Sequence, residues 1–336
     1  MPVLAPHIIE TELRKQSHQV SDEVRQQIHD RILWFIENQT PDFALTPEVL
    51  QYNIAFFVQA LLRNQKTLLR LDIPEQIYYP REERQMPLSK SQLVNIALRF
   101  LPIGTKLGLF VENLATIAWE FQESKKEILE ALEKWNLIIM SNHASWMNLP
   151  IIAICLHLYC DIPQKEIYTI LGPAITTREL SYSMINFSNL IKTVPDTPNG
   201  NILPEEVTRN IRSKMFETAK GIFRHEKGKV MLIAPSWTTD TFDATTWMLS
   251  LKKASKGTQI FLKFLWKKSP ETENSFLSIG VNDKEVMPDN SRPQRGKVYL
   301  RIGEIFPREK ALDTLKGLPE LICDHQGKVV GEWNIE

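Results

Sequence analysis

From residue 124 onward the chain alternates short apolar runs bounded by turn residues with longer segments of helical spacing. That alternation restricts the fold more than any other feature of the sequence. The runs fall at 137–140, 167–171, 230–234 and 259–266, and the segment 204–225 places its apolar residues at helical intervals. Val298, Leu300 and Ile302 alternate with Tyr299, Arg301 and Gly303, as in a half-buried strand. Strands alternating with helices predict an α/β domain over 124–336, a layered sheet with helices on both faces.

The preceding 123 residues read as a helical N-terminal region. Val20, Val24, Ile28, Ile32 and Ile36 recur every four residues behind Ser21, with Asp22 and Glu23 in the first turn. Thr46-Pro47 is a helix start, and Ser89-x-x-Gln92 and Ser124-x-x-Glu127 read as capping boxes. The apolar stretch 93–121, broken by Pro102 and Gly104, is expected to form a helical hairpin. It serves either as core or as a platform resting on a bilayer.

Lys plus Arg and Asp plus Glu number 40 each, so the formal net charge is zero, which argues against a nucleic-acid partner. With 43% hydrophobic and 24% charged residues, the chain carries enough apolar mass for a sizeable core. Cys155, Cys160 and Cys323 have no zinc-ligand spacing and read as reduced core thiols, and no metal is implied. No uninterrupted apolar run reaches about 18 residues, and the N-terminus lacks a secretory pattern. The expectation is a soluble, cytoplasmic protein, with peripheral attachment to a membrane surface left open. Lys252-Lys253 and Lys267-Lys268 read as solvated charge, or as contacts for anionic headgroups if they share a face with Arg99 and Lys106.

His143 follows the run 137–140 and precedes a helical pattern, at the carboxyl end of a strand where open α/β sheets form ligand crevices. A histidine there can act as a general base near neutral pH, or simply hydrogen-bond the turn. His225 reads as an exposed helix end, and Gly104 to Gly108 lacks the spacing of a phosphate loop.

The run Asn142-His143-Ala144-Ser145-Trp146-Met147-Asn148-Leu149-Pro150 resembles the first motif, Asn-His-x-Ser-x-x-Asp-Pro, of the glycerolipid acyltransferase family, which includes lysophosphatidate and glycerol-3-phosphate acyltransferases. The resemblance implies that His143 removes a proton from an acceptor hydroxyl, which then attacks an acyl thioester. Ser145 and Asn148 would shape and orient that histidine. The residues from Gly228 to Asp240 resemble the family's later strand and loop, so Ser236, Trp237, Thr238 and Thr239 would line the acceptor side, with Lys192 near the middle motif's phosphate site. The residues from Gly296 to Pro307 resemble its late strand. Acyl-CoA or acyl carrier protein would be the co-substrate, with no bound cofactor, and the acceptor would be lipid-like.

The departures are specific. Asn148 stands where the family has the acid that charges the histidine, and Pro150 is displaced by one position. In a serine-protease triad the equivalent Asp-to-Asn change costs about 10⁴-fold. Ser236, Trp237 and Thr239 replace the family's Glu, Gly and Arg. Asp240 or Asp243 could supply the missing carboxylate, or could merely cap a helix over 244–254. The alternatives are therefore an acyltransferase with an altered acceptor, and a catalytically silent relative that binds lipid or a partner.

Overall fold

Asn136–Ser141 is buried along its whole length, with apolar side chains pointing to both faces, which is the pattern of a central strand in a parallel sheet. The computed structural model describes residues 5–15, 21–39, 51, 54–55, 58, 78–79, 107–108, 110–145, 147–171, 188–192, 205–236, 240–252, 259–262, 273–288 and 294–333. Its strands are β1 (Tyr78–Tyr79), β2 (Asn136–Ser141), β3 (Ile167–Leu171), β4 (Asn189–Lys192), β5 (Val230–Ile233), β6 (Thr241–Asp243), β7 (Met248–Leu251), β8 (Asn274–Asn282), β9 (Tyr299–Pro307) and β10 (Gly331–Trp333). Its helices are α1 (Ala5–Lys15), α2 (Asp22–Gln39), α3 (Leu114–Lys134), α4 (Asn148–Cys160), α5 (Glu205–His225) and α6 (Ala311–Lys316).

The protein is mixed α/β. A seven-stranded sheet has the order β1-β4-β3-β5-β2-β8-β9. Strands β4, β3, β5, β2 and β8 run parallel, and β1 and β9 close the edges antiparallel. Leu137 and Ile139 of β2 join one core cluster with α3 and α4, while Ile138 and Met140 join another with α5 and α6. Helices therefore cover both faces. Ala5, Ile9 and Leu13 of α1 and Ile28 and Ile32 of α2 belong to the α3–α4 cluster. A second sheet, β10-β7-β6, is three-stranded and packs Leu249 and Leu251 against Ala144 of the β2–α4 loop.

Several sequence expectations are revised. Residues 259–262 are helical, not extended: Phe261 and Leu262 are buried side by side while Gln259 and Ile260 are exposed, which no period-two strand does. Residues 263–266 lie outside the described residues. Ser124 is interior to α3, because the buried stripe Ile117, Phe121, Ile128, Leu132 runs straight through it and leaves no helix start there. The boundary read at residue 123 thus falls inside a helix. Residues 114–121 of the expected 93–121 hairpin belong to α3; 93–106 and 109, like Thr46-Pro47 and Ser89, lie outside the described residues. Where a helix is expected over 244–254, residues 244–251 instead form the turn and second strand of a hairpin, and 253–254 lie outside the described residues. The Asp243 carboxylate accepts from Thr245 N–H at 2.9 Å and Thr246 Oγ1 at 2.8 Å, and Trp247 adopts a left-handed φ of 59° to turn the chain into β7.

Gly280 is required by packing. A Cβ there would meet the Leu321 backbone at 2.6 Å. Gly280→Ala is therefore expected to cost about 1–3 kcal/mol of folding stability. The denaturant midpoint checks this, and an unchanged midpoint would contradict the close approach.

Candidate functional site

The chain leaves the carboxyl end of β2 toward β3 on one side, while β8 leads to β9 on the other. The junction between the ends of β2 and β8 is thus the place where connections diverge, the position at which open α/β sheets bind ligands. The residues 142–145 follow β2 at this junction. Asn142 extends the ladder past the end of β2: its Nδ2–H donates to Val281 O at 2.8 Å and its Oδ1 accepts from Val281 N–H at 2.8 Å.

His143 is held by its backbone from the β5–β6 side. Its N–H donates to Asp240 Oδ2 at 2.7 Å, and its carbonyl accepts from Asp240 N–H at 2.7 Å. The other Asp240 oxygen accepts from Lys252 N–H at 2.9 Å. The ring Nδ1 lies 3.0 Å from the Ser145 carbonyl oxygen. A carbonyl can only accept, so in the neutral ring the proton sits on Nδ1 and the lone pair on Nε2.

Ser145 and Asn148 shape the loop as a capping box does. Asn148 Oδ1 accepts from Ser145 N–H at 2.6 Å, and Ser145 Oγ accepts from Met147 N–H at 2.9 Å. The Asn148 amide oxygen is thus directed to the Ser145 backbone. Pro150 sits in the first turn of α4, where its missing N–H costs nothing. Ser145 Oγ–H in turn donates to Asp283 Oδ2, just past the end of β8. Ser145, Asn148 and Asp283 are all fully buried.

Of the acceptor-side residues, Ser236 is buried just past the end of β5, whose Ile233 pairs with Met140 of β2. Trp237, Thr238 and Thr239 lie outside the described residues. Lys192 ends β4, with its side chain outside the described residues. Asp240 reaches the His143 loop through its backbone, whereas Asp243 caps the exposed β6–β7 turn. Sequence reasoning missed Asp283 and its buried neighbour Lys284. The signal lay in Leu277, Ile279 and Val281, whose period-two spacing marks β8 despite the polar residues between them.

Burial raises the Asp240 and Asp283 carboxyls to about 6 each. Backbone N–H groups of Lys252 and His143, the Asn142 amide and the Lys284 charge oppose this at Asp240; the Ser145 hydroxyl and Lys284 oppose it at Asp283. The folded state binds these protons more tightly than the unfolded chain, whose carboxyls titrate near 3.8. The stability they contribute is complete below about pH 4 and is lost as pH rises through about 6, by about 3 kcal/mol for each group. Asp283→Asn should flatten this decline by one group's share when urea midpoints are compared at about pH 4.5 and about pH 7.5. An identical slope in the variant would refute it.

Cys155, Cys160 and Cys323 are free and buried, and burial pushes the Cys155 thiol up and the Cys160 thiol to about 12. No cluster of three or more His, Cys, Asp or Glu suited to a metal occurs among the described residues, and none of the described helices is long and apolar enough to cross a membrane. No known protein family matches the chain, and no curated protein matches it.

Proposed function

We propose that the chain transfers a fatty acyl group from acyl-CoA or acyl carrier protein to an acceptor hydroxyl, that of a lysolipid or of a non-standard acceptor. The observation that carries this reading is the His143 ring just past the carboxyl end of β2, with Nδ1–H on the Ser145 carbonyl and Nε2 as the basic nitrogen. Nε2 takes the acceptor's proton, and the acceptor oxygen attacks the thioester carbonyl. The C–S bond then breaks, and the imidazolium returns the proton to the departing thiolate. The resemblance of the 142–150 run to the acyltransferase motif supports the same assignment, and Ser236 would sit on the acceptor side. Peripheral contact with a membrane surface, where lysolipids reside, accords with this substrate class.

A second reading is a silent relative that binds lipid or a partner. It is favoured by Asn148, which occupies the acid position and directs its oxygen to a backbone N–H. The deciding experiment gives the purified protein a labelled acyl thioester with lysolipids, glycerol phosphate and neutral alcohols. Turnover that disappears in His143→Ala supports the transferase. Binding without turnover, unchanged by that substitution, supports the silent relative.

A further inference from the structure

Ser145 uses every polar atom it has. Its N–H goes to Asn148, its Oγ to Met147 N–H and Asp283, and its carbonyl to the His143 ring. The contact that His143 Nδ1 makes therefore follows the orientation of the Ser145 carbonyl, which the bonds to the Ser145 side chain and N–H help to hold. The strongest grip comes from a carboxylate 138 residues away in sequence. We propose that Asp283 is the positioning residue of this site, acting through the Ser145 hydroxyl to hold the carbonyl on which His143 Nδ1–H rests. The proposal rests on the reading of His143 as the base.

Three observations support it. A hydroxyl donating to a carboxylate makes a charge-assisted bond, roughly twice as strong as a neutral one. Asp283 is itself fixed, because its carbonyl accepts from Val286 N–H at 2.9 Å and Met287 N–H at 2.8 Å in the turn after β8. And a fully buried acid is a costly way to hold a serine, since burial disfavours its charge and its Oδ1 has no hydrogen-bond partner among the described residues. The charged groups around it are Lys284 on its own turn and Asp240 on the far side of the same loop, which shares the Lys284 charge. In the family motif the acid acts on the histidine from within the same helix start. Here a carboxylate from the turn after β8 acts through Ser145.

The test is the imidazole nitrogen–proton correlation spectrum of the full chain at about pH 7.5, with the His143 resonances assigned by their loss in His143→Ala. Wild-type His143 should show Nδ1 protonated and Nε2 bare. Asp283→Ala and Ser145→Ala should each raise the Nε2–H population by about tenfold or more. The double variant should go no further, because both act on one contact. Asp283→Asn, which keeps an acceptor oxygen, should restore much of the native tautomer. His157 serves as the internal control: its Nδ1–H donates to Ile162 O at 2.9 Å, and its resonances should not move in a folded variant. An unchanged His143 tautomer in either alanine variant, with His157 native, overturns the proposal. Because the spectrum needs no substrate, that failure is distinct from failure of the acyl-transfer reading, which the turnover assay decides. Where turnover is present, Asp283→Ala should lower kcat with KM nearly unchanged, and a purely KM effect would count against a positioning role.

Discussion

Replacing His143 with alanine is expected to slow acyl transfer by about 10²–10⁴-fold, the range that a positioned general base supplies. An acceptor hydroxyl is a poor nucleophile until its proton is removed, and with Nδ1–H on the Ser145 carbonyl the basic nitrogen of the neutral His143 ring is Nε2. The upper end of the range is reached by bases whose imidazolium is stabilised by a carboxylate, and a carbonyl dipole gives less than a full charge. The loss should therefore lie toward the lower end, with residual rate from binding and orientation alone. His143 is only half-buried and its backbone bonds to Asp240 are kept in alanine, so the folded state should be little affected. A labelled-thioester assay beside a denaturation curve separates the two effects. Equal loss of stability and turnover would assign His143 to structure instead.

Replacing Asn142 with alanine should give the largest stability loss in the site, about 2–4 kcal/mol. The Val281 N–H and carbonyl would lose the Asn142 partners that continue the ladder beyond the end of β2, and each buried orphan costs about 1–3 kcal/mol. Asn142→Asp separates shape from chemistry. Its oxygen can still accept from Val281 N–H, but at neutral pH the second oxygen faces the Val281 carbonyl, acceptor against acceptor. Its cost should exceed that of alanine at about pH 7.5 and shrink on acidification, when the carboxyl regains a donor. Urea midpoints at the two pH values report this. A pH-independent loss would mean that the amide's donor role is minor.

The sequence revealed the parts of this molecule that local pattern determines. β2, β3 and α5 were readable because their apolar residues are contiguous or helically spaced and flanked by turn residues. β8 was not read, although all nine of its residues are buried, because Asn274, Ser275, Ser278 and Asn282 disguise a core strand as a polar segment. Two of those polar groups are answered by neighbours: Ser278 Oγ donates to Thr314 O at 2.5 Å, and Asn282 Nδ2 donates to Cys323 O at 3.1 Å. The β6–β7 hairpin is not legible in the sequence because residues 244–254 contain no glycine to mark a turn. The left-handed turn position is taken by Trp247, held edge-on to Phe242 with ring centres 5.6 Å apart. Asp240 stands out from its sequence position, but its contact with the His143 backbone follows only from three-dimensional placement. Asp283 could not be found at all without knowing that β8 lies beside β2.

The bonds that fix residues 142–145 span 97, 138 and 139 positions of chain. Contacts of that separation close large loops and form late, since their entropy must be met before they return any stabilisation. The segment β2–α4 can acquire its strand and helix early, but it cannot acquire a competent His143 loop until both the β5–β6 segment and the end of β8 have docked. A refolding experiment that follows His143 and a global probe together should therefore find the histidine environment among the last signals to recover. Any chaperone-dependent or slow step in the docking of β8 would then withhold the site without withholding the rest of the sheet.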